Sequence, residues 1–225
     1  QFMAEHELAR QVAAVNAKGG TVVLGRPSTG EVLAMASVAR NPEGSVVQGS
    51  LNQAIRLYEP GSVMKVVTVT TAYDMGLLTP DSTLTVPYSI TLYDKTIRDS
   101  HKHPTEVMTI NQILSESSNV GTIMIAQMIE RAGGREKLVD AFKAFGFGKY
   151  TALGLPKEQS GVLKEHDDWN GTDIGSIPIG QSVTVSPLQM WTAYNTIANG
   201  GSYVPPVLVR DIVDASGDRL TPKVP

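Results

Sequence analysis

Cysteine is absent from all 225 residues, which excludes disulfides, thiolate metal sites and a cysteine nucleophile and leaves the redox compartment open. An excess of positive charge is missing too. The formal net charge is -3 and no block of lysine and arginine occurs, so nucleic acid is not an expected partner and nothing suggests docking on an anionic membrane surface. No apolar run approaches the roughly 18 to 20 residues that span a bilayer. Internal repeats, low-complexity stretches and a convincing domain boundary are also lacking. What is present, 41% hydrophobic and 18% charged residues, suits one globular domain over residues 1–225 with a substantial core. The chain opens without methionine inside an amphipathic pattern and closes on a turn-like stretch from Leu220 to Pro225. It therefore reads as a segment of something longer, with any membrane anchor outside it.

Phe2, Leu8, Val12 and Val15 recur at helical spacing, predicting a helix from Gln1 to Ala17 that Gly19 and Gly20 stop. Thr21–Leu24 and Glu31–Ser37 are rich in β-formers and flank a Pro- and Gly-containing loop, the pattern of a hairpin. Residues 38–57 show no sustained period and read as loop. A helix is expected from Ser62 to Tyr73, ended by Gly76. Pro80, Pro87 and Pro104 among alternating polar positions make 79–109 an excursion with short strands. Further helices are expected at 111–132, closed by Gly133 and Gly134, at 135–145, and at 187–198 with Ser186 as N-cap.

Ser62 alone among the serines has a lysine three positions on, Lys65. Positions i and i+3 of a helix share a face, so the Lys65 amine can reach the Ser62 hydroxyl and take its proton once burial has lowered its affinity for one. The helix N-terminus adds backbone N–H groups for a developing oxyanion. The plainer alternative is a helix cap beside a solvated lysine. Ser117-Ser118-Asn119 places polar residues among Leu114, Val120 and Ile123, as a second site element or as a cap. Ser50-Leu-Asn52 matches the same Ser-x-Asn pattern. His101 and His103 read as polar loop, and no metal site is expected. Asp167 and Asp168 read as solvated, Trp169 as a packing anchor, and Ile123, Ile125, Met128 and Ile129 as core.

In order along almost the whole chain, several segments resemble the transpeptidase domain of class B penicillin-binding proteins. Gly20-Thr-Val-Val23 with Thr29-Gly-Glu-Val-Leu-Ala-Met-Ala-Ser37 is similar to that family's first hairpin, and Tyr58-Glu-Pro-Gly-Ser-Val-Met-Lys65 to its nucleophile segment. Leu114-Ser-Glu-Ser-Ser-Asn-Val-Gly121 is similar to its second motif. Gly180-Gln181, Ser186-Pro-Leu-Gln-Met190 and Ile197-Ala-Asn-Gly-Gly201 resemble the stretch before its third.

The resemblance implies an α+β fold: an antiparallel sheet flanked by helices, with a helical subdomain carrying Ser117–Asn119 and the sheet incomplete in this chain. It implies a serine D,D-transpeptidase that cross-links peptidoglycan stem peptides ending in D-Ala-D-Ala and is acylated by β-lactams. Ser62 would be the nucleophile, Lys65 the base, Ser117 a proton relay, and Asn119 a group holding the substrate amide and Lys65. Ser118 and Gln181 would border the substrate, although a turn-forming role suits Gln181 equally. No cofactor is implied; other cell-wall synthesis proteins are possible partners of an extracytoplasmic, membrane-anchored full-length form. The family's third motif, Lys-Thr-Gly or Lys-Ser-Gly, occurs nowhere in the sequence. A serine β-lactamase, or a non-catalytic module that binds cell wall or senses β-lactams, are the alternatives.

Overall fold

The computed structural model describes residues 1–49 and 51–220, so Ser50 and the tail after Leu220 lie outside the described residues. In chain order its elements are α1 (Phe2–Ala14), β1 (Gly19–Gly25), β2 (Val32–Arg40), β3 (Val46–Gln48), α2 (Lys65–Asp74), β4 (Thr83–Val86), β5 (Ser89–Leu92), β6 (Lys95–Arg98) and β7 (Glu106–Thr109). These are followed by α3 (Ile110–Ser115), α4 (Asn119–Ala144), α5 (Asp173–Ser176), α6 (Pro187–Ala198), β8 (Ile212–Val213) and β9 (Arg219–Leu220).

β1, β2 and β3 form an antiparallel sheet in that order, with Val23 opposite Met35 and Ala39 opposite Val47. Alternation along β1 assigns its two faces. Gly20 lies against Leu8 and Val12 of α1, whereas Gly25 lies against the Trp191 ring of α6. A Cβ on Gly25 would fall 2.2 Å from that ring, so only glycine lets α6 approach the strand. Gln1 pins α1 to the sheet through both ends of its amide, donating to the Met35 carbonyl and accepting from the Met35 N–H.

The core lies on the other side of the molecule, where α2 packs along α4. Met64, Val67, Ile123, Ile125, Ile129, Leu138, Phe142 and Ile177 are fully enclosed there, and Met128 packs at its edge. Trp169 is buried and donates its indole N–H to the Lys164 carbonyl, while Asp167 and Asp168 stand in solvent. Two small antiparallel pairs, β4 with β7 and β5 with β6, occupy the excursion expected over 79–109.

Three elements depart from the sequence reading. β2 runs on to Arg40 and pairs with β3 inside the stretch read as loop, because Asn41 closes a tight turn by accepting from the Ser45 N–H at 2.8 Å. A three-residue strand is too short to show a period. α1 ends at Ala14, before Ala17, since Asn16 adopts φ 52°. The helix expected over 111–132 is two helices, α3 and α4, parted by Ser117 at φ 55°. At Gly134 the backbone leaves helical geometry (φ 79°), where the sequence had placed a stop.

Candidate active site

The helix expected from Ser62 begins only at Lys65, and Ser62 is exposed on a 3-10 turn from Gly61 to Met64 that leads into α2. In such a turn residues three apart fall on the same side, so Lys65 follows Ser62 on one face of the segment. The 3-10 turn closes when the Lys65 N–H donates to the Ser62 carbonyl. As the turn's second residue, Ser62 lies where backbone N–H groups have no acceptor within the helix and remain available to a ligand.

The segment from Ser176 to Val185 grips this turn. The Gly61 N–H donates to the Gly180 carbonyl at 2.9 Å, Tyr58 and Val185 exchange backbone hydrogen bonds, and Thr68 donates its hydroxyl to the Pro178 carbonyl at 2.9 Å. Tyr194 of α6 donates its hydroxyl to the Val63 carbonyl at 3.0 Å. Gly180 sits at φ 80°, and a Cβ there would meet the Gly61 carbonyl oxygen at 2.1 Å. Gly180→Ala is therefore expected to destabilise the fold by about 1–3 kcal/mol and to displace the Ser62 turn. A thermal melt indistinguishable from wild type would contradict that contact. Gln181 is exposed beside it, and its N–H donates to the Ser176 carbonyl within the same turn.

Lys65 is only 2% exposed. Its ammonium donates to the Ser117 hydroxyl at 3.0 Å and also to the Ser117 carbonyl. Burial pulls its pKa down to about 8, against the opposing attraction of Asp99. At that value about a tenth of the amines are neutral at pH 7 and able to accept a proton.

Ser117, which the resemblance implies to be a proton relay, meets Lys65 from a bend between two helices and not from within one. Its left-handed backbone is uncommon for serine and turns its carbonyl and hydroxyl toward the same amine. Ser118, expected to border the substrate, is turned inward at 2% exposure. Its oxygen caps α4 by accepting from the Gly121 N–H at 2.8 Å while its proton goes to Asp99 at 2.7 Å. These bonds leave it a scaffolding position, which corrects the expectation from sequence. Asn119 donates its amide to the Arg98 carbonyl at 2.8 Å. Among the described residues Lys65 is held by Ser117, not by Asn119. Asn52, of the competing Ser-x-Asn match, caps a 3-10 turn by accepting from the Ala54 N–H.

Asp99 was not anticipated. It is 7% exposed and accepts from the Ser118 hydroxyl, the Val120 N–H (2.9 Å) and His103 Nε2 (3.1 Å). Two of its partners, Ser118 and Val120, lie 19 and 21 positions downstream, beyond the reach of local spacing. Tyr194 escaped notice for the same reason.

Residues 20–225 match the penicillin-binding protein transpeptidase domain, and the chain belongs to this family. It is 34% identical to penicillin-binding protein PbpB of Mycolicibacterium smegmatis, over 96% of this chain and 34% of the relative. It is 33% identical to peptidoglycan D,D-transpeptidase FtsI of Escherichia coli K12, over 99% of this chain and 38% of the relative. The crystal structure of penicillin-binding protein 3 from Mycobacterium tuberculosis complexed with ampicillin superposes at a TM-score of 0.89. That pair shares 33% identity, covering 98% of this chain and 49% of the other. The α+β fold expected from the resemblance is thus the fold observed. The chain spans about a third of the length of these curated relatives.

Proposed function

We propose that this chain carries the acylation site of a serine D,D-transpeptidase, with Ser62 as nucleophile and Lys65 as base. The observation that carries the reading is a buried lysine, three residues after an exposed serine on a 3-10 turn, whose amine, with its pKa brought down to about 8, donates to the Ser117 hydroxyl. Neutral Lys65 takes the Ser62 proton as the oxygen attacks the carbonyl of the penultimate D-alanine of a stem peptide. The N–H groups of the Ser62 turn face the resulting oxyanion. Collapse breaks the peptide bond, and the proton passes from Lys65 through Ser117 to the departing amine of the terminal D-alanine. A neighbouring peptide's amine then attacks the ester, loses its proton to the same base, and returns Ser62. A β-lactam presents an equivalent carbonyl, but its ring-opened amine stays attached, so the ester persists.

Related proteins with the same fold bear the names D,D-transpeptidase and penicillin-binding protein, and one has been crystallised with ampicillin, which supports this chemistry. The reaction belongs outside the cytoplasm, where stem peptides are cross-linked. No helix among the described residues is long and apolar enough to cross a membrane.

Intact-mass analysis after incubation with penicillin tests the assignment. The expected result is a stable adduct that maps to the tryptic peptide Leu57–Lys65, whereas rapid release of hydrolysed antibiotic would favour a β-lactamase. If the chain alone gives no adduct, the same measurement on a chain continuing past Pro225 decides, and a second failure removes Ser62 as nucleophile. The acylation rate should rise with pH through about 8 as Lys65 loses its proton. A rate independent of pH across that range would rule out Lys65 as the base.

A further inference from the structure

The β5–β6 hairpin has two unlike faces. Ile90, Leu92 and Ile97 turn toward the core, and the packing against α5 is close: a Cβ on Gly175 would meet Leu92 at 2.6 Å and Ile97 at 2.7 Å. Alternation puts Lys95 on that face too, where its ammonium is spent on the Ser176 hydroxyl at 3.3 Å. In the pairing register Ser89 stands opposite Arg98 and Thr91 opposite Thr96, so these four share the other face. Thr91, Thr96 and Arg98 are exposed, and the two threonine hydroxyls bond each other at 3.0 Å. Arg98, between the buried Ile97 and Asp99, carries this face's one charge and enters no salt bridge among the described residues.

This polar face adjoins the proposed acylation site. Asn119 donates its amide to the Arg98 carbonyl at 2.8 Å, so the end of β6 that carries the guanidinium lies against the second motif. The Asn119 Oδ1 has no partner among the described residues and is open to a substrate N–H. We infer that Arg98 binds a carboxylate on the acyl portion of the donor, beyond the amide that Asn119 holds, and so sets a preference for anionic donors. The inference rests on Ser62 being the nucleophile and on Asn119 holding the substrate amide. A donor held at those two points continues past the end of β6, within reach of a side chain as long as arginine. The planar guanidinium takes a carboxylate through two parallel hydrogen bonds, which a lysine ammonium cannot reproduce. The Thr91 and Thr96 hydroxyls beside it offer an uncharged polar surface to the rest of that group.

The test compares the second-order rates of acylation by carbenicillin and by benzylpenicillin, which differ by one carboxylate on the acyl side chain. Rates are read by competition with a fluorescent penicillin, in whichever form of the protein the wild type reacts, for wild type, Arg98→Gln, Arg98→Lys and Lys102→Gln. Arg98→Gln should lower the ratio of the carbenicillin rate to the benzylpenicillin rate about 10-fold, the scale of one charge-assisted pair, and Arg98→Lys should fall between it and wild type. Lys102→Gln removes the same charge from an exposed loop position and should keep the wild-type ratio. The wild-type ratio should also shrink as salt rises from about 0.05 to 0.5 M. An unchanged ratio in Arg98→Gln, whether both rates fall together or neither does, would mean that no carboxylate reaches the guanidinium. An equal drop in Lys102→Gln would mean that only the general field acts; either result overturns the inference. Should Arg98→Gln fail to fold, a salt-independent wild-type ratio overturns it equally. A wild type that forms no adduct on Ser62 with either compound overturns both this inference and the site assignment, whereas normal wild-type acylation with an unaltered ratio in Arg98→Gln removes the inference alone.

Discussion

Ser62→Ala is expected to abolish acylation by penicillin, a loss on the order of 10⁶-fold, the scale seen when a serine nucleophile is removed. Its effect on stability should be small, because Ser62 is exposed and its hydroxyl enters no hydrogen bond among the described residues. A change within about 0.5 kcal/mol is anticipated, as for surface substitutions away from packing features. The pairing of a complete chemical loss with an unchanged melt distinguishes a nucleophile from a residue that merely shapes the turn. The turn itself is held by backbone groups of Gly61, Tyr58 and Val63 and by the Gly180 segment, none of which the substitution touches. Mass analysis of the variant after long incubation with penicillin checks the outcome. An adduct that still maps to Leu57–Lys65 would move the nucleophile to another side chain of that peptide.

What the sequence disclosed and what it hid follow from the range of the interactions. Ser62 and Lys65 are three residues apart, and local geometry alone brings them together. Ser186, Pro187 and Gln189 announce α6 because a cap, a first-turn proline and a capping box all operate within one turn. The Ser117 bend was concealed because apolar positions continue at helical spacing across it: Ile113, Val120 and Ile123 all face one core. Only a backbone angle breaks the pattern, and Ser117 has no side-chain signature for φ 55°. Polar residues among apolar ones drew notice to Ser117–Asn119, but its preference over Ser50-Leu-Asn52 and the roles expected of it came from resemblance. Asp99 and Tyr194 were out of reach, since each acts on a partner that only the tertiary fold brings near. Ser118 illustrates the converse error. Adjacent to two motif residues, it shares their segment but points to the opposite side, where it caps α4.

Lys65→Met should slow acylation by about 10² to 10⁴-fold, the usual contribution of a general base, and at the same time raise the melting temperature at neutral pH. The second expectation comes from the direction of the Lys65 shift. Burial lowers its pKa from 10.5 to about 8, so between those values the unfolded chain binds more protons than the native one. Stability attributable to this group accordingly rises with pH from about 8 to 10.5, and below 8 the full cost of burying the charged amine is present. That cost is at most about 3 kcal/mol for a shift of this size. Methionine matches the lysine stem in length, carries no charge, and gives up the two hydrogen bonds to Ser117, which offset part of the gain. A net stabilisation of about 1 kcal/mol remains, corresponding to roughly 2–4 °C for a chain of this size. The difference from wild type should shrink as pH climbs toward the unfolded value of the lysine, because the wild type then no longer buries a charge. Parallel melts at neutral and alkaline pH measure it. A variant less stable than wild type at neutral pH would show that the bonds to Ser117 outweigh desolvation, and the lysine would then be a structural tie as well as a base. A more stable but unreactive variant would place Lys65 among residues whose burial costs the fold stability and is retained for chemistry.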